Sequence, residues 1–312
     1  MVATRLVGID LGGTSIRAAM ATGAATHGDR VQRRTPHADG PEAVLAACAQ
    51  AAREAAGGTP DGVAIGIPGP LDPKGGVVYA APHLQGWTNV GARDILEGQL
   101  GCPVAVHNDA NLAGYAEWVA GAGRGADPFL FVTVSTGIGG ALIYGGDLYG
   151  GASGSAAEIG HLAVAPGGPA CGQGHPGCLE GLASGSGIAG RLSDELAHGE
   201  RSMVADGADA GGVAVAARAG DELCLRLYRE AGQALGRALG GVINLLSPAV
   251  IVIGGGMLNN IDLLEAPLHS GISEIAFAVP AERCRVEHAA LGTDAGLVGA
   301  TAWAIRSFGP AH

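Results

Sequence analysis

Three glycine turns, each behind an apolar run, are the first places in this 312-residue chain where residue type and spacing suggest chemistry. They are Gly12-Gly13-Thr14 after "LVGIDL", Thr136-Gly137-Ile138-Gly139-Gly140 after "FLFVTVS", and Gly254-Gly255-Gly256 after "AVIVI". Backbone without Cβ atoms can aim successive N–H groups at one anion, which is a way to hold phosphate. Neither common nucleotide fingerprint is present: GxxxxGK[ST] is absent, and Gly254-x-Gly256 runs on to Asn259 where GxGxxG needs glycine. One such turn alone reads as a plain hairpin. Three of them, with Thr14, Ser135 and Thr136 supplying hydroxyls and Asp10 leading the first, read as phosphate loops. Asp10 is placed to hold a magnesium ion through water, because Mg²⁺ keeps several of its waters.

A second set of residues carries proton and metal chemistry. Asn108 and Asp109 stand together in "VHNDANLAGYAE", where a strand-like run meets a helix-like one. Asp109 on its own would read as a helix cap. In "AEIGH", Glu158 and His161 are three apart, so a single helical turn aims both the same way. The stretch "CGQGHPGCLE" then packs Cys171, His175, Cys178 and Glu180 together. These types fit a metal site, a redox pair or a glycine-rich loop, and spacing alone leaves all three open.

The elements that must position these residues alternate between strand and helix. The start, "RLVGIDLGGTSIRAAM", is hairpin grammar, and "FLFVTVSTGIGGALIYGG" repeats it weakly in the second half, with Ser135-Thr136 in the region matching Asp10. A helix is expected over 41–56, with Pro first and Gly57-Gly58 ending it. "GVAIGIPGP" and "PAVIVIGGGM" read as strands into glycine turns. A long half-buried helix is expected over 221–246, from apolar side chains at helical spacing. The Ala/Gly-rich stretch 203–220 is weakly patterned and reads as a surface connection. Two charge-free stretches, 128–146 and 238–261, contain glycine clusters and Ser-Pro that would leave backbone unsatisfied in lipid, so both read as buried strands broken by turns.

Composition sets outer bounds. Hydrophobic content of 47% supports a real core, and 56 glycines without a collagen period read as tight turns and places of close ligand approach. A formal charge of −11 argues against nucleic acid or an anionic membrane as partner. The six cysteines are scattered, Cys48 and Cys224 fitting helix cores, and no secretory leader is legible, so a reducing cytoplasm is expected. Trp87 reads as a core aromatic, and His107 has no assigned role.

Six segments together carry a resemblance. "VGIDLGGTSIRAA", "IGIPGPLD", "VHNDANLAGYAE", "VTVSTGIGGALI", "EIGH…CGQGHPGCLE" and "VIVIGGGM" resemble, in order and approximate spacing, the ROK family of bacterial sugar kinases and repressors, its glucokinase branch above all. The resemblance implies an α/β, two-lobed, actin-like (hexokinase, ribonuclease H-like) fold with a central cleft, and ATP-dependent phosphorylation of a hexose, glucose first. It implies a small lobe over 1–112 and 297–312 and a large lobe over 113–296. Asp10, Gly12, Gly13 and Thr14 would form the first phosphate loop, and Ser135, Thr136, Gly137 and Gly139 the second. Gly254, Gly255 and Gly256 would lie against the adenosine. Asn108, Asp109, Glu158, His161 and Glu180 would bind sugar hydroxyls, with Asp109 as general base.

The family pattern also implies a structural zinc held by a histidine and three cysteines. Here Gln173 stands at the middle cysteine's place, so His161, Cys171 and Cys178 remain and His175 is the substitute ligand. A metal-free loop and a disulfide are the alternatives. Rival functions are a kinase of fructose, mannose or an N-acetylated amino sugar, and a sugar-sensing regulator lacking a DNA-binding domain. The first phosphate motif begins by residue 6, which leaves no room for a helix-turn-helix before it. A homodimer or homotetramer is what the family implies.

Overall fold

A computed structural model describes residues 4–23, 26–81 and 84–310. The chain divides into two compact units, one of Met1–Ala126, Ala141–Ala157 and Ala290–His312, the other of Asp127–Gly140 and Glu158–Ala289. Residues 1–3, 24–25, 82–83 and 311–312 of the expected small lobe lie outside the described residues. Boundaries at 112 and 297 would cut two helices, Asp109–Ala120 and Ala295–Phe308. These helices lie so close that a Cβ on Gly299 would stand 1.9 Å from the Leu112 carbonyl, so both stay in one unit.

In the first unit the strand Leu6–Leu11 is buried along its whole length, as a continuous apolar run should be when both sheet faces are covered. It pairs antiparallel with Ser15–Gly23 and parallel with Gly62–Ile67, which pairs parallel with Val104–Asn108. One face, with Val7, Ile9 and Leu11, packs into a core with Val44, Leu45 and Cys48 of the helix Gly40–Ala56. That helix has its proline at the start and ends on Gly57, whose positive φ of 61° closes the last turn. The other face meets Ala295–Phe308, where a Cβ on Gly8 would fall 2.3 Å from the Thr301 nitrogen. Trp87 is buried in the first core.

The second unit uses the same grammar. Phe129–Val134 runs parallel to Val250–Gly254, which runs parallel to Arg285–His288, and a glycine turn carries Phe129–Val134 into the strand that opens at Ile138. Thr133 pairs with Gly254 as Asp10 pairs with Gly66, so Thr133 occupies the rung that matches Asp10.

Two expectations change. The stretch 238–261 opens as the end of the helix Glu222–Leu246 before it becomes a strand. Within 203–220 a helix forms over Ala210–Arg218, capped by Asp209 accepting the Gly212 N–H, with Val213, Ala214, Ala216 and Ala217 buried. Its small residues hide the pattern, because alanine and glycine give little amphipathic contrast. The helix Glu222–Leu246 packs on Ile261–Ile275 through Gly232, Gly236 and Gly240, one per turn of the same face. Among the described residues no helix is long and apolar enough to cross a membrane.

Candidate active site

The first unit supplies a phosphate-type turn and a carboxylate at a helix start. Gly12 N–H donates to the Ser15 carbonyl at 2.9 Å, and buried Thr35 closes the turn from below, its Oγ1 donating to the Gly12 carbonyl at 2.7 Å. Asp10 is 7% exposed at the end of its strand and bonded to Arg17. Burial pushes its carboxyl up, and the Arg17 guanidinium opposes that. A Cβ on Gly296 would sit 2.8 Å from that carboxylate, so the helix Ala295–Phe308 closes over Asp10.

The cap of the helix Asp109–Ala120 is Asn108, not Asp109. Asn108 Oδ1 accepts from Ala110 N at 2.9 Å and Asn111 N at 3.2 Å, while its Nδ2 donates to the Gly69 carbonyl at 3.0 Å. Asp109 is then the first helical residue, partly exposed, with Oδ1 accepting from Ala110 N at 2.8 Å. An acid there is favoured by the positive end of the helix dipole.

The second unit brings together the other turns. Ser135 N–H donates to the Gly137 carbonyl at 2.8 Å, and the start of the helix Gly185–Ala197 holds the turn from outside. Gly185 N–H donates to the Ser135 carbonyl at 2.7 Å, and Ser186 Oγ to the Thr136 carbonyl at 2.7 Å. Gly255, with φ of 93°, passes so near the Val134 carbonyl that a Cβ would stand 2.3 Å from it. Ser135 Oγ would be 3.6 Å from a Cβ on Gly256. The third glycine turn thus lies against the second. Gly185 and Ser186 join the set of residues around this turn, and "ASGSG" is the cap-and-glycine signal that marks them in the sequence.

Glu158, His161 and Glu180 gather beside this turn. Glu158 directly precedes the short 3₁₀ turn Ile159–His161. Burial raises the Glu158 carboxyl, His161 lowers it and Glu180 raises it, which places the three groups within one field. Glu180 Oε2 also accepts the Ile138 N–H at 3.0 Å, and a Cβ on Gly137 would meet that oxygen at 2.7 Å. A side chain at Gly137 would displace that carboxylate. A cluster of carboxylates and imidazole, each able to pair with a hydroxyl, is the complement of a sugar edge.

The Cys/His loop folds back on His161. Cys171 Sγ lies 3.8 Å from His161 Nδ1, and the two imidazole rings of His161 and His175 are 5.2 Å apart. Ligand atoms of His161, Cys171 and His175 all lie within 4.8 Å of one another. Cys178 is outside that cluster of three, its thiol hydrogen-bonded to Cys171. Gln173 is exposed at the loop tip, where Gly174 N–H turns back to the Cys171 carbonyl.

The ROK family profile matches residues 6–307. A glucokinase of Halalkalibacterium halodurans is 34% identical, over 96% of this chain and 94% of its own. An N-acetylmannosamine kinase of Shigella flexneri is 33% identical, over 95% of this chain and 96% of its own. The crystal structure of a ROK family glucokinase from Streptomyces griseus in complex with glucose and AMPPNP superposes with a TM-score of 0.79 at 31% identity, over 97% of this chain and 99% of that one. The fold is that of the two-lobed, actin-like sugar kinases.

Proposed function

The chain belongs to the ROK family, and from that premise we propose that this ATP-dependent sugar kinase takes glucose and phosphorylates its 6-hydroxyl. The observation that carries the proposal is the Glu158, His161 and Glu180 group, built against the second glycine turn through the Glu180–Ile138 bond. Asp109 is the general base that accepts the hydroxyl proton, a role worth a modest share of the rate. Most of the rate of phosphoryl transfer comes from alignment and charge neutralisation. Gly12, Gly13 and Thr14 hold phosphate at the first turn, and Ser135, Thr136, Gly137 and Gly139 at the second, through hydroxyls and the N–H groups not already bonded within the turns; Gly254 to Gly256 carry the adenosine. Asp10 is a buried carboxylate next to the first turn, which fits a magnesium ion held through water. When bound, the ion supplies charge neutralisation at the phosphate oxygens.

His161, Cys171, His175 and Cys178 would hold a structural zinc, in place of the family's three-cysteine set. Two thiols and two imidazoles suit zinc, and three of their ligand atoms are already gathered. A zinc there would fix His161 and, through the helix Leu179–Ala183 that follows Cys178, Glu180. This reading places the chain in a reducing cytoplasm, where its six thiols stay unpaired.

The N-acetylmannosamine kinase relative at 33% identity favours a second reading, an amino-sugar substrate. A coupled ADP-release assay over glucose, fructose, mannose and N-acetylated amino sugars separates the two. Glucose is expected to give the highest kcat/KM. An amino sugar winning by orders of magnitude would replace the substrate, and no stimulation by any sugar would sink the proposal.

A further inference from the structure

Asp10 and Arg17 are directly paired across the first hairpin, and Arg17 Nη2 is bonded to Asp10 Oδ2. The other arm of the guanidinium, Nη1, donates to the Thr293 carbonyl at 2.6 Å, with Asp294 Oδ1 at 3.9 Å. The loop bearing Thr293 is itself clamped. Glu117, fully buried near the end of the helix that Asp109 begins, accepts N–H bonds from Ala122 at 3.0 Å, Ala290 at 3.1 Å and Leu291 at 2.8 Å. A run of bonds within the first unit therefore leads from the Asp109 helix, through the 290–294 loop and Arg17, to Asp10.

An exposed ion pair contributes little, but this one is largely shielded, the two side chains being 21% and 10% exposed. A guanidinium is a rigid fork: with one arm fixed on a carbonyl, the other can hold a carboxylate in one orientation. Gly296 lies against the same carboxylate, and a Cβ there would overlap it. With Oδ2 bound to arginine, Oδ1 is the oxygen left for a ligand.

We infer that Arg17 is a positioning residue for the nucleotide, holding the Asp10 carboxylate in place for the hydrated magnesium ion of MgATP, with Glu117 bracing the loop on which Arg17 leans. This rests on the kinase reading above. Groups that orient a metal-binding side chain commonly change metal affinity by roughly tenfold or more when removed.

Calorimetric titration of the full chain with AMPPNP, in magnesium and in EDTA, tests it on wild type, Arg17→Met, Arg17→Gln and Arg17→Lys. Wild type is expected to bind more tightly with magnesium. In Arg17→Met and Arg17→Gln that gain should shrink by roughly tenfold, and KM for MgATP should rise by a similar factor while KM for the sugar stays within about twofold. Arg17→Lys, with the charge but without the fork, should recover part of the gain. A full magnesium gain in either of the first two variants, whatever their melting temperature, overturns the inference. So does equal weakening with and without magnesium, which would mean that Arg17 serves the fold or the phosphates directly. A wild-type chain that does not bind AMPPNP overturns the kinase reading and the inference together, and shows it before any substitution is made.

Discussion

Asp109 begins a helix that Asn108 caps, and its carboxylate accepts the Ala110 N–H from the first helical position. Asp109→Asn keeps the size and the helix start, and it should lower kcat by about 10²–10⁴ with a smaller change in KM. Steady-state rates with the best sugar decide; an unchanged kcat removes Asp109 as base. Two residues before it, His107 stacks edge-on against Trp303 at 4.4 Å, with its Nδ1 buried and unpartnered among the described residues. Burial pulls its pKa from 6.5 down to about 4, with Asp147 opposing and Arg93 adding to the fall. The unfolded chain therefore takes up this proton first. The stability from keeping the ring neutral is complete above pH 6.5 and is lost as pH falls toward 4, about 3 kcal/mol over the interval. In urea melts at pH 7.5 and pH 5, His107→Phe should lose less stability than wild type; equal losses would refute it. The candidate acids were legible because a pair such as Asn108-Asp109 stands out in sequence. Which of the two caps the helix was not, since both side chains can, and only the Asn108 bonds to Asn111 and Gly69 decide.

At the scale of elements, the glycines divide by purpose. Those in the three turns could be read from their place behind apolar strands. Gly8, Gly236 and Gly299 could not, because what forbids a side chain there is another backbone far away in sequence. A Cβ on Gly236 would lie 2.0 Å from the Leu268 carbonyl, whereas Gly241 in the same helix meets nothing within 4 Å. Gly→Ala ordinarily gains about 1 kcal/mol in a helix. Gly241→Ala should show that gain, and Gly236→Ala should instead lose about 2 kcal/mol or more as the helices are forced apart. Chemical denaturation of both separates the cases, and a stabilised Gly236→Ala would refute the contact. The Cys/His loop is tested by metal. Protein purified without chelator should carry near-stoichiometric zinc, and its removal should lower the melting temperature; a zinc-free preparation equally stable would exclude the site.

For the molecule as a whole, charge and repeat were the legible features. The net charge of −11 predicts that the chain runs through a heparin column at low salt, and retention there would reopen the question of a nucleic-acid partner. The hairpin-then-parallel order, visible as two similar sequence runs, holds in both sheets. What the sequence did not disclose is how the chain is shared out: one unit takes three separate segments and the other two. Contacts between distant segments have no local signature, and Arg17 meets Thr293 across 276 positions. On a ribosome, the sheet begun by Leu6–Leu11 must therefore wait with the Leu6, Gly8 and Asp10 side uncovered by Ala295–Phe308 until that helix has been translated. The earliest-made strand is among the latest to be sealed, so a stalled or truncated nascent chain lacking that helix is the species most exposed to capture by a chaperone.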